Sequence, residues 1–193
     1  MPLFGKKQAD AFEQLAAPCE KQVYFTCLRM VGSREDAEDC AQETMLRAFR
    51  AFSSFRGDAK FSTWLHTIAA RVCMDFLRSK KGVISLDALQ DAGWEKADDG
   101  PSPYLSLEES VRKELLEKAL QQLPDHARAA VVLCDLQGLS YEETAQALDI
   151  PVGTLRSRLS RARNALQKIL SQQAELFLST PRPIDERREY NEL

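Results

Sequence analysis

The segment from Ser140 to Leu166, SYEETAQALDIPVGTLRSRLSRARNAL, has the pattern of two helices joined by a tight turn. Ser140 is a favoured N-cap residue, and Glu143 follows three residues later, where a capping box places an acidic side chain. Asp149 tolerates the left-handed backbone conformation better than most residues, and Pro151 suits the start of a helix. The segment therefore predicts a helix-turn-helix, and this prediction constrains the fold more than any other feature.

The second predicted helix has an apolar face and a basic face. Its apolar residues recur at alternating steps of three and four, as in a buried helical stripe: Val152, Leu155, Leu159, Ala162, Leu166 and Ile169. The basic face carries Arg156, Ser157, Arg158, Ser160, Arg161 and Arg163. Arginine can bind guanine edges in the major groove, and arginine or serine can bind phosphates. A solvated basic face is the alternative, but the capped helix and the tight turn favour DNA binding.

Charge is unevenly distributed along this chain of 193 residues. The formal net charge of −3 does not by itself indicate a nucleic-acid-binding protein. However, the segment from Lys81 to Ser110 is rich in acidic residues, whereas the last predicted helix is basic. A chain that meets both DNA and a protein partner can be acidic overall.

The cysteines and the apolar segments indicate the cellular compartment. The five cysteines are Cys19, Cys27, Cys40, Cys73 and Cys134. Their number is odd, they form no CxxC pair, and they have no recognisable metal spacing with His66 or His126, so we predict neither a metal site nor a cofactor. The sequence also has no membrane-length apolar run and no leader pattern. These features are typical of a soluble cytoplasmic protein.

The N-terminal half predicts three helices. The first covers about residues 9–31, is divided by Pro18 and ends at Gly32, and the second runs from its cap Ser33 to about Phe52. The third covers about residues 62–80. The inward positions predicted for the first helix are Phe12, Leu15, Ala16, Cys19, Val23, Cys27 and Met30. The outward face of the second helix carries Asp36, Asp39, Gln42 and Glu43, here called the acidic ridge, which spacing alone does not distinguish from a solvated face.

The loop before the third helix and the start of that helix combine aromatic and basic residues. Phe55 and Arg56 lie in the loop, and Trp64 lies near the start of the helix. The helix also carries positive charge on one side: His66, Arg71, Arg78, Lys80 and Lys81. Trp64 could pack in the core or stack on an unpaired base beside these cations, and its position leaves both alternatives open.

The remaining segments divide the chain into two parts. Residues 82–106 mix Gly, Pro, Ser and acidic residues, which predicts a linker and therefore two domains. Helical pattern resumes over about residues 107–122, Leu123 and Pro124 end it, and Asp125 is expected to cap the next helix. The tail is helical at first and is then broken by prolines. No phosphate-binding loop or catalytic triad spacing is present, so we predict that the protein is not an enzyme.

Two long motifs resemble a known family, the bacterial RNA polymerase sigma factors of the extracytoplasmic-function (ECF) group of the sigma-70 family. SREDAEDCAQETMLRAFRAFSSFRG, followed by FSTWLHTIAARVCMDFLRSKK, looks like the second conserved sigma region. LPDHARAAVVLCDLQGLSYEETAQALDIPVGTLRSRLSRARNAL looks like the fourth. The resemblance implies an all-α fold with two small helical domains: region 2 over residues 9–81, a linker over 82–106, region 4 over 107–171 and a tail over 172–193.

The resemblance also implies roles for individual residues. The acidic ridge is similar to the surface that docks on the clamp helices of the largest subunit of core RNA polymerase. Residues similar to those that open and read the −10 promoter element are Phe55, Arg56, Lys60, Phe61, Trp64, Arg71, Asp75 and Arg78. Residues similar to those that read the −35 element are Thr154, Arg156, Ser157, Arg158, Ser160 and Arg161. The implied partners are core polymerase, promoter DNA and an anti-sigma factor, with no small-molecule substrate.

We therefore predict a sigma factor that directs promoter-specific initiation of transcription. One rival is a stand-alone helix-turn-helix regulator that does not bind polymerase, for which Asp39 and Glu43 would be dispensable. A second rival is a helical interaction protein with no role on DNA, for which Arg156 and Arg161 would be dispensable.

Overall fold

A computed structural model describes residues 6–84 and 107–179 of the chain. Every regular element in these two ranges is helical, which confirms the predicted all-α class. Most of the predicted linker, residues 85–106, and the last part of the predicted tail, residues 180–193, lie outside the described residues.

The first bundle is formed by four helices: α1 (Lys6–Ala16), α2 (Glu20–Val31), α3 (Arg34–Ala51) and α4 (Phe61–Ile84). A short 3-10 helix, Ala17–Cys19, contains Pro18 and separates α1 from α2, as predicted. Gly32 ends α2 with a left-handed φ of 83°, and the Ser33 hydroxyl caps α3 by accepting a hydrogen bond from the Asp36 amide at 3.4 Å. The core lies where α2, α3 and α4 meet.

The second bundle is formed by α5 (Leu107–Gln121), α6 (Asp125–Val131), α7 (Tyr141–Ala147) and α8 (Val152–Ser179). A π-helical segment, Val132–Leu136, continues α6. Its core contains Leu120, Leu133, Leu155 and Leu159, which have at most 1% of their surface exposed. The apolar stripe predicted for α8 therefore faces inward, and its basic side is left on the outside.

Three predictions for single residues are wrong, those for Leu15, Asp125 and His66. His66 was expected on the positively charged side of α4, but only 3% of its surface is exposed, because it faces α2. Leu15 was expected to face inward but is 42% exposed, because the helix containing it ends at Ala16 and the chain turns through the 3-10 helix. Asp125 was expected to cap α6 but is its first residue, since Pro124 occupies the N-cap position and no side chain caps the helix. The carboxylate of Asp125 instead pairs with the buried Arg128 at 2.7 Å.

The two bundles contact each other, and their buried apolar residues form one continuous cluster. Arg29 on α2 pairs with Glu117 on α5 at 3.4 Å, and the Gln121 amide donates to the Arg29 carbonyl at 3.0 Å. On another side, α7 packs against α4, and Arg71 donates a hydrogen bond to the Gln146 carbonyl at 3.2 Å. Side chains from both bundles therefore meet along α2 and α4.

Candidate nucleic-acid interface

The start of α7 and the turn between α7 and α8 adopt the conformations that the sequence predicted. The Ser140 hydroxyl accepts from the Glu143 amide at 3.1 Å, and the Glu143 carboxylate accepts from the Ser140 amide at 2.8 Å, which completes the capping box. Asp149 has a left-handed φ of 53°, and the Ile150 amide donates to the Ala145 carbonyl at 3.0 Å. Helix α8 starts directly after Pro151. These observations confirm the predicted helix-turn-helix.

All six residues predicted to read the −35 element lie on α8. Arg156, Ser157, Ser160 and Arg161 are exposed, whereas Thr154 and Arg158 are half-buried. The opposite side of the helix is fixed in the core by Leu155, Leu159 and Ala162. Because α8 is a single continuous helix anchored along one side, its polar residues form one outward surface of a shape that fits a major groove.

The basic side chains of α8 are partly oriented by contacts within the protein. The Arg156 guanidinium lies over the ring of Tyr141, 5.9 Å from its centroid, and Nε of Arg161 donates to the Ser157 carbonyl at 3.2 Å. Arg163 makes a bidentate pair with Asp135, with N···O distances of 3.0 and 2.6 Å. This hydrogen-bonded carboxylate raises the pKa of Arg163. Arg163 thus forms an ion pair within the protein, at its surface, and the sequence did not predict this pair.

A second candidate surface lies around three aromatic rings, here called the aromatic cluster: Phe55, Phe61 and Trp64. Their centroids are 5.2 Å apart for Phe55–Trp64, 5.3 Å for Phe55–Phe61 and 5.5 Å for Phe61–Trp64. Phe12 and Phe52 contact Phe61 from behind, with centroid distances of 6.0 and 6.1 Å. All three rings of the cluster are half-buried. Trp64 is therefore packed on one side while part of its surface remains accessible.

Of the charged residues predicted for the −10 surface, some are exposed in a loop and others form contacts with neighbouring helices. Arg56 and Lys60 lie exposed in the loop before α4, close in sequence to the aromatic cluster. Asp75 on α4 lies between two arginines and pairs with Arg78 at 2.9 Å and with Arg47 at 3.5 Å. Arg71, as described above, contacts α7 of the second bundle. The structure thus places Arg71 and Asp75 in ion pairs or hydrogen bonds that link helices.

The acidic ridge runs along the outer side of α3. Asp39 and Gln42 are exposed, whereas Asp36 pairs with Lys80 at 2.8 Å and Glu43 pairs with Arg47 at 2.6 Å. Leu46 follows one turn after Gln42 and is 51% exposed. The sequence analysis did not single out Leu46, although its spacing from Asp39 and Gln42 places it on the outward face of α3.

Comparison with known proteins assigns both halves of the chain. Residues 15–83 match the family Sigma-70 region 2, and residues 113–166 match the family Sigma-70, region 4. The chain is 36% identical over 172 residues to the ECF RNA polymerase sigma factor SigW of Bacillus subtilis, covering 86% of this chain and 91% of that protein. It is 35% identical to the RNA polymerase sigma-H factor of Pseudomonas aeruginosa, covering 83% and 86%.

A further relative and a solved structure are also sigma factors. The ECF RNA polymerase sigma factor SigE of Mycolicibacterium smegmatis is 36% identical over 83% of this chain, which spans 62% of that protein's length. Among solved structures, the sigma factor RpoE of Bartonella quintana, in complex with the anti-sigma factor NepR, is similar with a TM-score of 0.69 and 27% identity. The similarity covers 83% of this chain and 97% of the RpoE chain.

The two matched regions and their order define a protein of the sigma-70 class that contains regions 2 and 4. With its similarity to SigW and sigma-H over most of their length, the chain belongs to the ECF group of RNA polymerase sigma factors. Its function is to bind core RNA polymerase and to direct promoter-specific initiation of transcription.

Two further findings concern the described part of the chain. None of the helices there is long and apolar enough to cross a membrane. Within the same residues, no group of three His, Cys, Asp or Glu side chains is arranged to hold a metal ion.

Proposed function

We propose that the two bundles divide promoter recognition between them. Region 2, taken as residues 9–81, binds core polymerase and opens the −10 element, and region 4, taken as residues 107–171, binds the −35 element. The observation that carries this proposal is the continuous polar face of α8, which the core packing of Leu155 and Leu159 turns outward. The order of the matched regions supports the same division.

The acidic ridge is proposed to be the polymerase-binding surface. Asp39 and Gln42 are exposed, and the ion pairs of Asp36 and Glu43 are with side chains that are themselves about half exposed. Exposed ion pairs contribute little to stability and exchange readily for contacts with a partner. The ridge can therefore offer carboxylates to a basic surface such as the clamp helices, and Leu46 adds an apolar contact at one end of it.

The aromatic cluster and its neighbours are proposed to open the −10 element. Unpairing a base costs a few kcal/mol of free energy. Stacking on an aromatic ring together with phosphate contacts can offset roughly this cost. Trp64 offers a ring held in place by Phe55 and Phe61, and the exposed Arg56 and Lys60 can contact the backbone of the displaced strand. Arg71, Asp75 and Arg78 extend this surface along α4.

On α8, the proposed −35 contacts are Thr154, Arg156, Ser157, Arg158, Ser160 and Arg161. Each bundle presents only a small DNA-contacting surface, so neither is expected to bind a promoter tightly alone. Binding both elements through one polymerase raises the effective concentration of the second contact. We also infer that the protein acts in the cytoplasm and is held inactive by an anti-sigma factor, as its structural neighbour RpoE is bound by NepR.

The test is run-off transcription with purified core polymerase and a promoter pool. Glu43→Lys reverses a charge on the acidic ridge and should abolish the promoter-dependent transcripts that the wild-type protein produces. Glu13→Lys makes the same charge change on the exposed side of α1 and should leave transcription intact. Equal transcription by both variants, with both folded by circular dichroism, would show that the acidic ridge does not bind polymerase.

A further inference from the structure

Tyr141 lies between two arginines of the recognition helix. It is the first residue of α7, it is half-buried, and it packs against the core of the second bundle. Its ring lies under the guanidinium of Arg156, with 5.9 Å between the guanidinium carbon and the ring centroid. Arg156 and Arg163 are about two turns apart on α8, so they lie on the same side of that helix. Tyr141 therefore touches the face of α8 that carries the proposed −35 contacts.

The other end of the Tyr141 side chain lies near Arg163. After the Asp135 carboxylate, the phenol group of Tyr141 is the second group that raises the pKa of Arg163. Arg163 is itself fixed by the bidentate pair with Asp135, which belongs to the π-helical segment. The Tyr141 ring is anchored by its packing against the core of the second bundle. A ring anchored in this way can orient a mobile neighbour.

Arg156 is such a neighbour. Its side chain is exposed, and a free arginine side chain samples many rotamers that must be given up when it binds a base edge in one plane. A guanidinium in a cation–π contact with an aromatic ring samples fewer orientations than a free one. Stacking in the free protein therefore removes part of the ordering cost before DNA binds, which is how pre-organisation increases affinity and selectivity.

We propose that Tyr141 is a positioning residue for −35 recognition and that it acts through Arg156. The proposal deepens the function proposed above and rests on α8 reading the −35 element. Tyr141 contributes the ring, and the packing of that ring against the core of the second bundle keeps it in place. It follows that the identity of the ring at position 141 affects how well the −35 sequence is discriminated, although Tyr141 itself reads no base.

The experiment uses the full chain with core polymerase and a promoter selected from a randomised pool. The readout is the ratio of run-off transcription from this promoter to that from a version with a scrambled −35 element. Arg156→Ala should reduce the ratio about tenfold, which is the usual size of one bidentate base contact. Tyr141→Leu should reduce it several-fold, and Tyr141→Phe, which keeps the ring, should retain most of it. In Tyr141→Leu/Arg156→Ala the ratio should equal that of Arg156→Ala alone.

Each other outcome identifies which inference fails. A double variant in which the two losses multiply would overturn the positioning role and leave α8 as the −35 reader. A loss in Tyr141→Phe as large as in Tyr141→Leu would also overturn it, because the hydroxyl and not the ring would then matter. An unchanged ratio in Arg156→Ala would overturn both this inference and the proposed −35 assignment.

A second measurement does not depend on the Leu variant folding. In the wild-type protein the ring current of Tyr141 should shift the NMR resonances of the Arg156 side-chain protons upfield, and Tyr141→Phe should preserve the shift. Random-coil shifts for these protons in the wild-type protein would contradict the stacked arrangement.

Discussion

His66 is a buried side chain that links two helices of the first bundle. Only 3% of its surface is exposed, and its Nδ1 lies 3.2 Å from the hydroxyl oxygen of Thr26 on α2. The Thr26 hydroxyl donates its own proton to the Gln22 carbonyl at 2.9 Å, so it can only accept from the imidazole. Nδ1 of His66 therefore carries a proton, and burial, which lowers the pKa of His66, favours the neutral form of the ring. This histidine serves the packing of α4 against α2 and has no place in the proposed DNA surface.

Burial gives His66 a marked effect on the pH dependence of stability. Burial lowers the pKa of His66 to about 4, so below pH 6.5 the unfolded chain binds a proton that the folded chain does not. Stability should therefore be lost as the pH falls from about 6.5 towards 4, by on the order of 3 kcal/mol in total. Thermal melts in this range should show a flatter pH profile for His66→Gln, whose amide can also donate to Thr26. Identical profiles would contradict the assignment of a neutral, buried imidazole.

At the scale of elements, two serine caps differ in geometry. At α7 the Ser140 hydroxyl accepts at 3.1 Å and Glu143 returns a hydrogen bond of 2.8 Å, which satisfies two backbone amides. At α3 the Ser33 hydroxyl accepts at 3.4 Å, a long contact close to the limit of a hydrogen bond. Serine thus caps both helices, but its hydrogen bond is shorter at α7 than at α3.

This difference predicts unequal effects of the same substitution. Ser140→Ala should lower the free energy of unfolding by about 1 kcal/mol, because it leaves a helix amide without its acceptor. Ser33→Ala should lower it by less, about 0.5 kcal/mol or under, because the hydrogen bond removed is weaker. Urea denaturation of the two variants provides the comparison. A larger loss in Ser33→Ala would show that the long contact at α3 carries more stability than its geometry indicates.

The sequence predicted those element boundaries that single residues enforce. Pro18, Gly32, Ser140 and Asp149 each impose a backbone conformation or satisfy a backbone group locally, so their positions could be read without the fold. The π-helical segment Val132–Leu136 was not predicted, because it carries no local signal of this kind.

In the candidate site, too, the features that depend on one element could be predicted and those that depend on packing could not. The arginines of α8 could be found from spacing, because the apolar stripe of one helix determines which of its residues face outward. The pairing of Arg163 with Asp135 and the stacking of Arg156 on Tyr141 join residues of different elements. Such contacts depend on how α6, α7 and α8 pack, so no pattern within one helix indicates them.

At the scale of the whole molecule, a glycine allows the two bundles to approach closely. A Cβ added to Gly32 would lie 2.5 Å from Oε1 of Gln121. Gln121 is bound in turn to the Arg29 carbonyl and to the buried Arg128, and Glu117 pairs with Arg29 one turn earlier on α5. The end of α2 and the end of α5 thus share one hydrogen-bonded contact that leaves no room for a side chain at position 32.

Gly32→Ala should therefore destabilise the protein more than Gly138→Ala. Both glycines have a positive φ, 83° and 71°, and an alanine at either position costs about 1–2 kcal/mol in backbone strain. Only at position 32 must Gln121 also move and lose its contacts, since nothing lies within 4 Å of a Cβ at position 138. The comparison is made by thermal and urea denaturation.

The Gln121→Ala background is the control for this comparison. There the effect of Gly32→Ala should fall to that of Gly138→Ala, because the side chain that obstructs the new methyl group is gone. Equal effects of the two glycine substitutions in the wild-type background would show that the bundles do not meet at Gly32 in solution.

The cysteines of the first bundle have a consequence for how its motions can be observed. Cys27, Cys40 and Cys73 come from α2, α3 and α4, and each has no more than 3% of its surface exposed. Hydrogen bonds to Cys27 and Cys40 and burial raise the pKa of Cys73. An alkylating reagent can reach these thiols only when the three helices separate, so their labelling rate reports how often the first bundle opens. Cys134 in the second bundle is half-buried beside Thr144, so its labelling does not require that bundle to open. The chain thus carries natural chemical probes that can follow the opening of the first bundle, with no cysteine introduced by mutation.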